Sequence, residues 1–202
     1  MGDPFALLAE PRRPWLDAER LKQKFLSLSG EIHPDRVHNA SPSIRETADT
    51  AYAGLNSAYQ VLKDPKLRLK SFLELEQGGA LPEVQLPPPA LMERAFEIGK
   101  VCREVDAFLG EGARITSPLL KVRRFEQGQD FAVRLMEIQG GIAGDREKML
   151  TELQALDQAW EVSGTSATMD RPIRRVEEIY RHLGYYDRWS QQLQERIVQL
   201  AS

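Results

Sequence analysis

The side chains best suited to chemistry here are an imidazole and a carboxylate either side of a proline, His33, Pro34 and Asp35, with a second imidazole at His38. Two chemistries fit them. His33, Asp35 and His38 are the right donors for a divalent metal, but no supporting shell is visible around this polar loop. The other is recognition, with His33 and Asp35 presented at a bend instead of being packed into a core. The sequence favours recognition and predicts neither a metal nor a cofactor. Cys102 falls on an apolar stripe and reads as a small buried hydrophobe rather than a nucleophile. As the only cysteine, it excludes an intrachain disulfide and a Cys-x-x-Cys zinc site. No Ser-His-Asp, Walker or glycine-rich phosphate pattern is present, so the expectation is a protein that is not an enzyme.

What positions the tripeptide is a pair of helical patterns. Before it, Leu21, Phe25, Leu28 and Ile32 draw one apolar stripe. After it, Ala48, Ala51, Tyr52, Leu55, Ala58, Tyr59 and Leu62 draw another of the same period. Two such helices bury their stripes best when antiparallel, with the connector thrown out at one end. Pro34 disfavours helix at His33 and removes a donor, so the first helix should stop there. Asp3-Pro4, Asp17, Ser41-Pro42 and Asp64-Pro65 read as helix starts, with Ser43 and Glu46 an alternative capping box. Pro11 and Pro14 make a stiff connector, and Gly78-Gly79 ends a fourth helix carrying Leu69, Phe72 and Leu73.

Composition then shifts: residues 78–89 are rich in glycine and proline, ending in Pro87-Pro88-Pro89, and read as a semi-rigid linker. The predicted division is 1–77, linker 78–89, and a helical bundle over 90–202. In the bundle, Leu91, Ala95, Ile98, Cys102, Val105 and Leu109 form one stripe. Ser117-Pro118 starts a second helix expected to end at Gly140-Gly141, with a possible break at Gly128. Asp145 caps a third, carrying Met149, Leu153, Leu156 and Trp160. Residues 163–168 read as a loop, and Asp170 begins a last region with a bend at Gly184. No strand-like alternation of useful length appears, so the fold class is all-α. The formal net charge of −3 argues against nucleic-acid binding. No apolar run suits a membrane span, and Met1-Gly2-Asp3-Pro4 does not resemble a signal peptide. The expected location is the cytoplasm.

A His-Pro-Asp corner between antiparallel helices, flanked by short helices, resembles a J domain. The run Leu55-Asn56-Ser57-Ala58-Tyr59-Gln60-Val61-Leu62-Lys63-Asp64-Pro65, followed by Arg68, is similar to the HscB-type co-chaperones of iron–sulfur cluster assembly, as is Phe5-Ala6-Leu7-Leu8. In the later half the likeness rests on Leu91-Met92-Glu93 and Leu183-Gly184-Tyr185-Tyr186. The resemblance implies a four-helix J domain followed by a helical bundle. It implies a co-chaperone whose corner stimulates a DnaK- or HscA-type ATPase. His33, Pro34, Asp35 and Arg36, with Lys22 and Lys24, would meet that ATPase. The bundle would bind an IscU-like iron–sulfur scaffold protein through an exposed apolar patch of Leu91, Met92, Phe96 and Tyr185. Departures are a thin basic face, where Arg20, Lys22 and Lys24 straddle the stripe, and Ala95-Phe96 in place of a more regular leucine and glutamate pattern. A J-type module with an unrelated client is the alternative reading.

Overall fold

A computed structural model describes residues 2–37, 40–82, 86–111, 117–163 and 172–201. All regular structure among these residues is helical: α1 (Pro4–Leu7), α2 (Ala18–Glu31), α3 (Pro42–Lys63), α4 (Pro65–Gln77), α5 (Met92–Glu111), α6 (Pro118–Ser163) and α7 (Ile173–Ala201). Short 3-10 turns cover Pro34–Val37 and Pro89–Leu91. By contact the chain divides into residues 1–82 with 152–180, and residues 83–151 with 181–202. These are called unit 1 and unit 2. The linker read at 78–89 spans the first of these changeovers, while the second half of the chain contributes to both units.

In unit 1 the predicted starts are built by short polar side chains. Asp3 accepts from the Phe5 and Ala6 amides, Asp17 from Arg20, and Asp64 from Leu67. Ser41 holds the cap position of α3, but its hydroxyl meets that of Ser43 instead of a backbone amide. Gly78, at φ 71°, ends α4 in the left-handed region that glycine enters without a Cβ clash. The core gathers Phe5, Leu8, Leu21, Leu55, Leu62 and Phe72, all buried. Ala51, read as part of the α3 stripe, is exposed instead, because the stripe is narrower than its sequence period suggests.

The unit 1 core also contains charge. Arg68 is buried, and it donates to the carbonyls of Pro14 at 3.0 Å and Leu62 at 2.7 Å. One guanidinium thereby ties the connector before α2 to the end of α3. Burial lowers its pKa to about 10, against raising by Asp64 and then Asp157, so it is charged at neutral pH. Asp157, also buried, lies 3.2 Å from the Arg13 guanidinium.

Unit 2 buries Leu91, Ile98, Val101, Cys102 and Val105 from the turn before α5 and from α5 itself. It also buries Leu135 and Ile142 from α6, and Leu183, Tyr186, Trp189 and Leu193 from α7. The expected breaks at Gly128, Gly140-Gly141 and Gly184 do not occur, and Asp145 lies within a helix instead of capping one. A helical glycine costs only about 1 kcal/mol; Gly128 is itself buried, Ile142 is buried beside Gly140-Gly141, and Leu183 and Tyr185 are buried on either side of Gly184. Asp145 instead receives Arg94 at 2.7 Å and Lys148 at 2.9 Å. Residues 164–168 of the expected loop, and the Asp170 start, lie outside the described residues, as does the Trp160 side chain.

Candidate functional site

The corner is assembled by the ends of α2 and α3. Helix α2 stops at Glu31, and the Ile32 amide donates to Leu28 O, so the chain leaves the helix one residue before His33. The two helices are fastened by rings: Phe25 stacks on Tyr59 with centroids 4.2 Å apart and planes 12° from parallel. Further along, His33 meets Tyr52 edge-on at 5.2 Å. Pairing low numbers on α2 with high numbers on α3 is the antiparallel order that the stripes require. Lys63 adds a cation over the Tyr59 ring, 5.9 Å from its centre.

At the corner, the Asp35 amide donates to His33 Nδ1 at 3.3 Å, and the Asp35 carboxylate lies 3.4 Å from the same nitrogen. The His33 side chain is 41% exposed and that of Asp35 90%. His33 is therefore braced between Tyr52 and the turn, and the Asp35 carboxylate beside it is largely exposed. Such an arrangement suits a charge-assisted pair with an incoming guanidinium or ammonium. Pro34 and Arg36 belong to the same 3-10 turn. His38 lies outside the described residues, and among those described no group of three metal-type ligands is assembled.

The two lysines of α2 part company. Lys22 is exposed, whereas Lys24 donates to Ala9 O at 2.5 Å and pairs with the buried Glu10 carboxylate at 2.9 Å. Lys24 closes the end of α1 and so is not displayed on an open basic face. Its sequence signal, a lysine near an apolar stripe, could not distinguish these fates. Arg68 was visible only as a residue following a motif, yet it is the polar anchor behind the α2–α3 pair.

The four residues read as an apolar patch divide in the same way. Met92 and Phe96 are 51% and 71% exposed, one turn apart at the start of α5. Leu91 and Tyr185 are buried at 7% each, which corrects their place on an exposed surface. Tyr185 is held by Trp189, with ring centroids 5.7 Å apart, and has the Arg188 guanidinium 5.3 Å from its ring centre. A tyrosine ring on the inner face of an amphipathic helix buries its large apolar body first.

No family model matches the chain. Among curated relatives, the Co-chaperone protein HscB homolog of Mannheimia succiniciproducens is 38% identical over 78 residues, covering 39% of this chain and 45% of that protein. The Co-chaperone protein HscB homolog of Bordetella petrii is 35% identical over 94 residues, covering 46% and 53%. The matched stretches thus span about half the length of the curated relatives. In fold, the chaperone HscB from Vibrio cholerae aligns over 96% of both chains with a TM-score of 0.63 and 21% identity. The human co-chaperone protein HscB aligns over 96% of this chain and 82% of its own, with a TM-score of 0.60 and 17% identity. The chain is similar in sequence to HscB-type co-chaperones over part of its length and shares their all-α fold over nearly all of it. No helix among the described residues is long and apolar enough to cross a membrane.

Proposed function

We propose that this chain acts as an HscB-type co-chaperone. The His33-Pro34-Asp35 corner engages a DnaK- or HscA-type ATPase chaperone and biases it toward its hydrolysing state. Met92 and Phe96 help to present an IscU-like iron–sulfur scaffold protein as the client. The protein itself makes and breaks no bond; it supplies a coupling free energy through contacts that are better in one state of the ATPase than in the other. The observation that carries the reading is the Asp35 carboxylate, 90% exposed on a turn whose neighbouring imidazole is braced by Tyr52. A fixed anion of this kind costs its partner little ordering entropy. Lys22 adds an exposed cation on α2, and Arg36 a second charge in the turn; Lys24 is already engaged within the fold. The site of action is the cytoplasm.

The test is ATP hydrolysis by a DnaK- or HscA-type chaperone with and without this protein, comparing wild type with His33→Gln. Loss of stimulation at unchanged helical content supports the corner, and retained stimulation rejects it. A pull-down with the scaffold protein decides the client. Wild type that binds, with Met92→Ala and Phe96→Ala that do not, supports it. No binding by wild type leaves the second reading, a J-type module with another client, which the burial of Leu91 and Tyr185 favours.

A further inference from the structure

Exposed apolar side chains concentrate on one side of unit 2, on a different helix from Met92 and Phe96. Leu119, Val122, Phe125, Val133 and Met136 of α6 are between 49% and 67% exposed. At 100° per residue, Val122, Phe125, Gln129, Val133 and Met136 fall within about 80° of one another. Isolated exposed hydrophobics are ordinary, but a continuous row along a helix marks an interaction surface. The charge beside this row is one-sided. Glu126, Asp130 and Glu137 line one margin, about 60–100° from the centre of the stripe. All three are exposed, and none pairs with a cation among the described residues. Basic side chains begin outside the stripe and this margin. Lys121 lies on the opposite side, Arg123 stands beyond Asp130, and Arg134 is held by Glu104 at 2.7 Å.

Past the acidic margin, α5 and α6 leave an open groove of about 560 Å³ whose charge has the same sign. Its floor is the Phe108 and Phe131 rings, 5.2 Å apart, and its rim carries Glu104, Glu111 and Asp130. Arg134 is engaged by Glu104. Arg124 turns inward, donating to the Phe108 carbonyl with its guanidinium 4.1 Å from the centre of that ring. Glu111 and Asp130 are left without a cation among the described residues.

We propose that the α6 stripe docks a basic amphipathic helix of a partner protein. The apolar face of that helix lies on Val122, Phe125, Val133 and Met136, and its lysines or arginines turn toward Glu126, Asp130 and Glu137. Charge selects this occupant. A second copy laid on the same stripe would bring the same acids to it, and a nucleic acid or an anionic membrane would add negative charge to the margin. A basic segment is attracted by all three carboxylates, and a long cationic side chain crossing at Asp130 reaches the Phe108–Phe131 groove, where an aromatic floor and Glu111 suit it. Apolar area holds the helix and the acidic margin sets its orientation, as in other helix-on-surface contacts. From Val122 to Met136 the stripe runs about 21 Å at 1.5 Å per residue, which is the length of roughly four helical turns. A single helix of that length makes a contact at the low end of specific interfaces. The exposed acids speed its arrival and make binding sensitive to salt.

Fluorescence anisotropy of the full chain with two labelled helical peptides of about 15 residues tests this. The peptides share one leucine face; the first carries lysines along its polar side and the second glutamates. The lysine peptide should bind with a Kd of roughly 10 µM at low salt and clearly more weakly at about 300 mM salt, and the glutamate peptide at least about tenfold more weakly than the first. Glu126→Gln/Asp130→Asn/Glu137→Gln should weaken the lysine peptide about tenfold, and Glu126→Lys/Glu137→Lys should reverse the preference between the two peptides. Phe125→Ser/Val133→Ser should weaken binding of the lysine peptide at every salt concentration. All of these positions are exposed, so the circular dichroism spectrum should stay that of wild type. No binding of the lysine peptide, equal binding of both peptides, or binding unmoved by these variants would overturn the proposal. Self-association in sedimentation velocity that is lost in Phe125→Ser/Val133→Ser would give the stripe to a second copy instead. Binding to phosphatidylglycerol vesicles lost in the same variant would give it to a membrane, and either result overturns the basic helix. ATPase stimulation and the scaffold pull-down are read from other residues, so their failure is distinguishable from failure here.

Discussion

The His33–Asp35 corner and the Met92–Phe96 ridge are both exposed, yet they are held by different physics. Behind the corner stand two ring contacts and a buried guanidinium that fixes the connector before α2 to the end of α3. The ridge is the free edge of an amphipathic helix whose next-door residues, Leu91 and Ile98, are in the core. A site of the first kind is specified by directional contacts and fails when one is removed. One of the second kind is specified by apolar area and fails gradually. Candidate residues in the two regions should therefore respond differently to substitution.

The largest expected effect separates Tyr185 from its supposed neighbours in the patch. Tyr185→Ala removes a buried ring and should cost about 3–4 kcal/mol of stability in urea unfolding. Met92→Ala and Phe96→Ala should stay within about 0.5 kcal/mol of wild type. Equal costs would mean that Tyr185 and the ridge form one surface after all. Next, Arg68→Ala should cost about 3 kcal/mol by leaving two buried carbonyls without their donor. A loss under about 1 kcal/mol would remove the directional account of the corner's support.

Smaller effects sharpen the contrast between local geometry and packing. Ala9 holds φ at 50°, a left-handed conformation costing an alanine about 1 kcal/mol. Ala9→Gly should therefore stabilise the protein slightly, unlike most glycine substitutions. Gly140 lies exposed within α6 with open space where a Cβ would stand, so Gly140→Ala should add about 0.8 kcal/mol in thermal unfolding. The smallest effect concerns Asp145. The hydrogen bond from Lys148, the largest influence, acts with that from Arg94 to hold this carboxyl below its ordinary value despite partial burial. A lowered folded-state pKa means stability is present above the unfolded value and is lost as pH falls through the folded one. Asp145→Asn should thus cost about 0.5 kcal/mol at pH 7 and nothing once both states are protonated in acid.

The α2–corner–α3 arrangement could be read from the chain because proline, cap residues and a 3.6-residue period all act locally. Pro34 ends α2 wherever the rest of the molecule goes. The continuity of α6 was not readable in that way. Gly140-Gly141 and Asp145 carry local stop and start signals, and only distant packing by Leu135 and Ile142, with Arg94 on Asp145, overrides them. Tyr185 is a different case. In sequence its ring reads as a core aromatic more readily than as a binding surface, only the resemblance placed it in the patch, and its burial agrees with the first reading. Lys24 and Arg68 were ambiguous because a basic residue beside an apolar stripe can face water or a buried carbonyl. The place of the corner between two antiparallel helices, with Phe25, Tyr52 and Tyr59 on their facing stripes, was legible, whereas the Arg68 link to the Pro14 and Leu62 carbonyls was not, since it joins residues far apart in the chain.

The central claim is that a fixed anion at the corner drives the ATPase. Its most direct test is single-turnover ATP hydrolysis by a DnaK- or HscA-type chaperone with Asp35→Asn, which removes the charge and keeps the shape. The account expects the rate to fall to within about twofold of the unstimulated chaperone, since a buried charge-assisted contact is worth several kcal/mol at an interface, while circular dichroism stays that of wild type. Stimulation retained by Asp35→Asn at the wild-type level would contradict it.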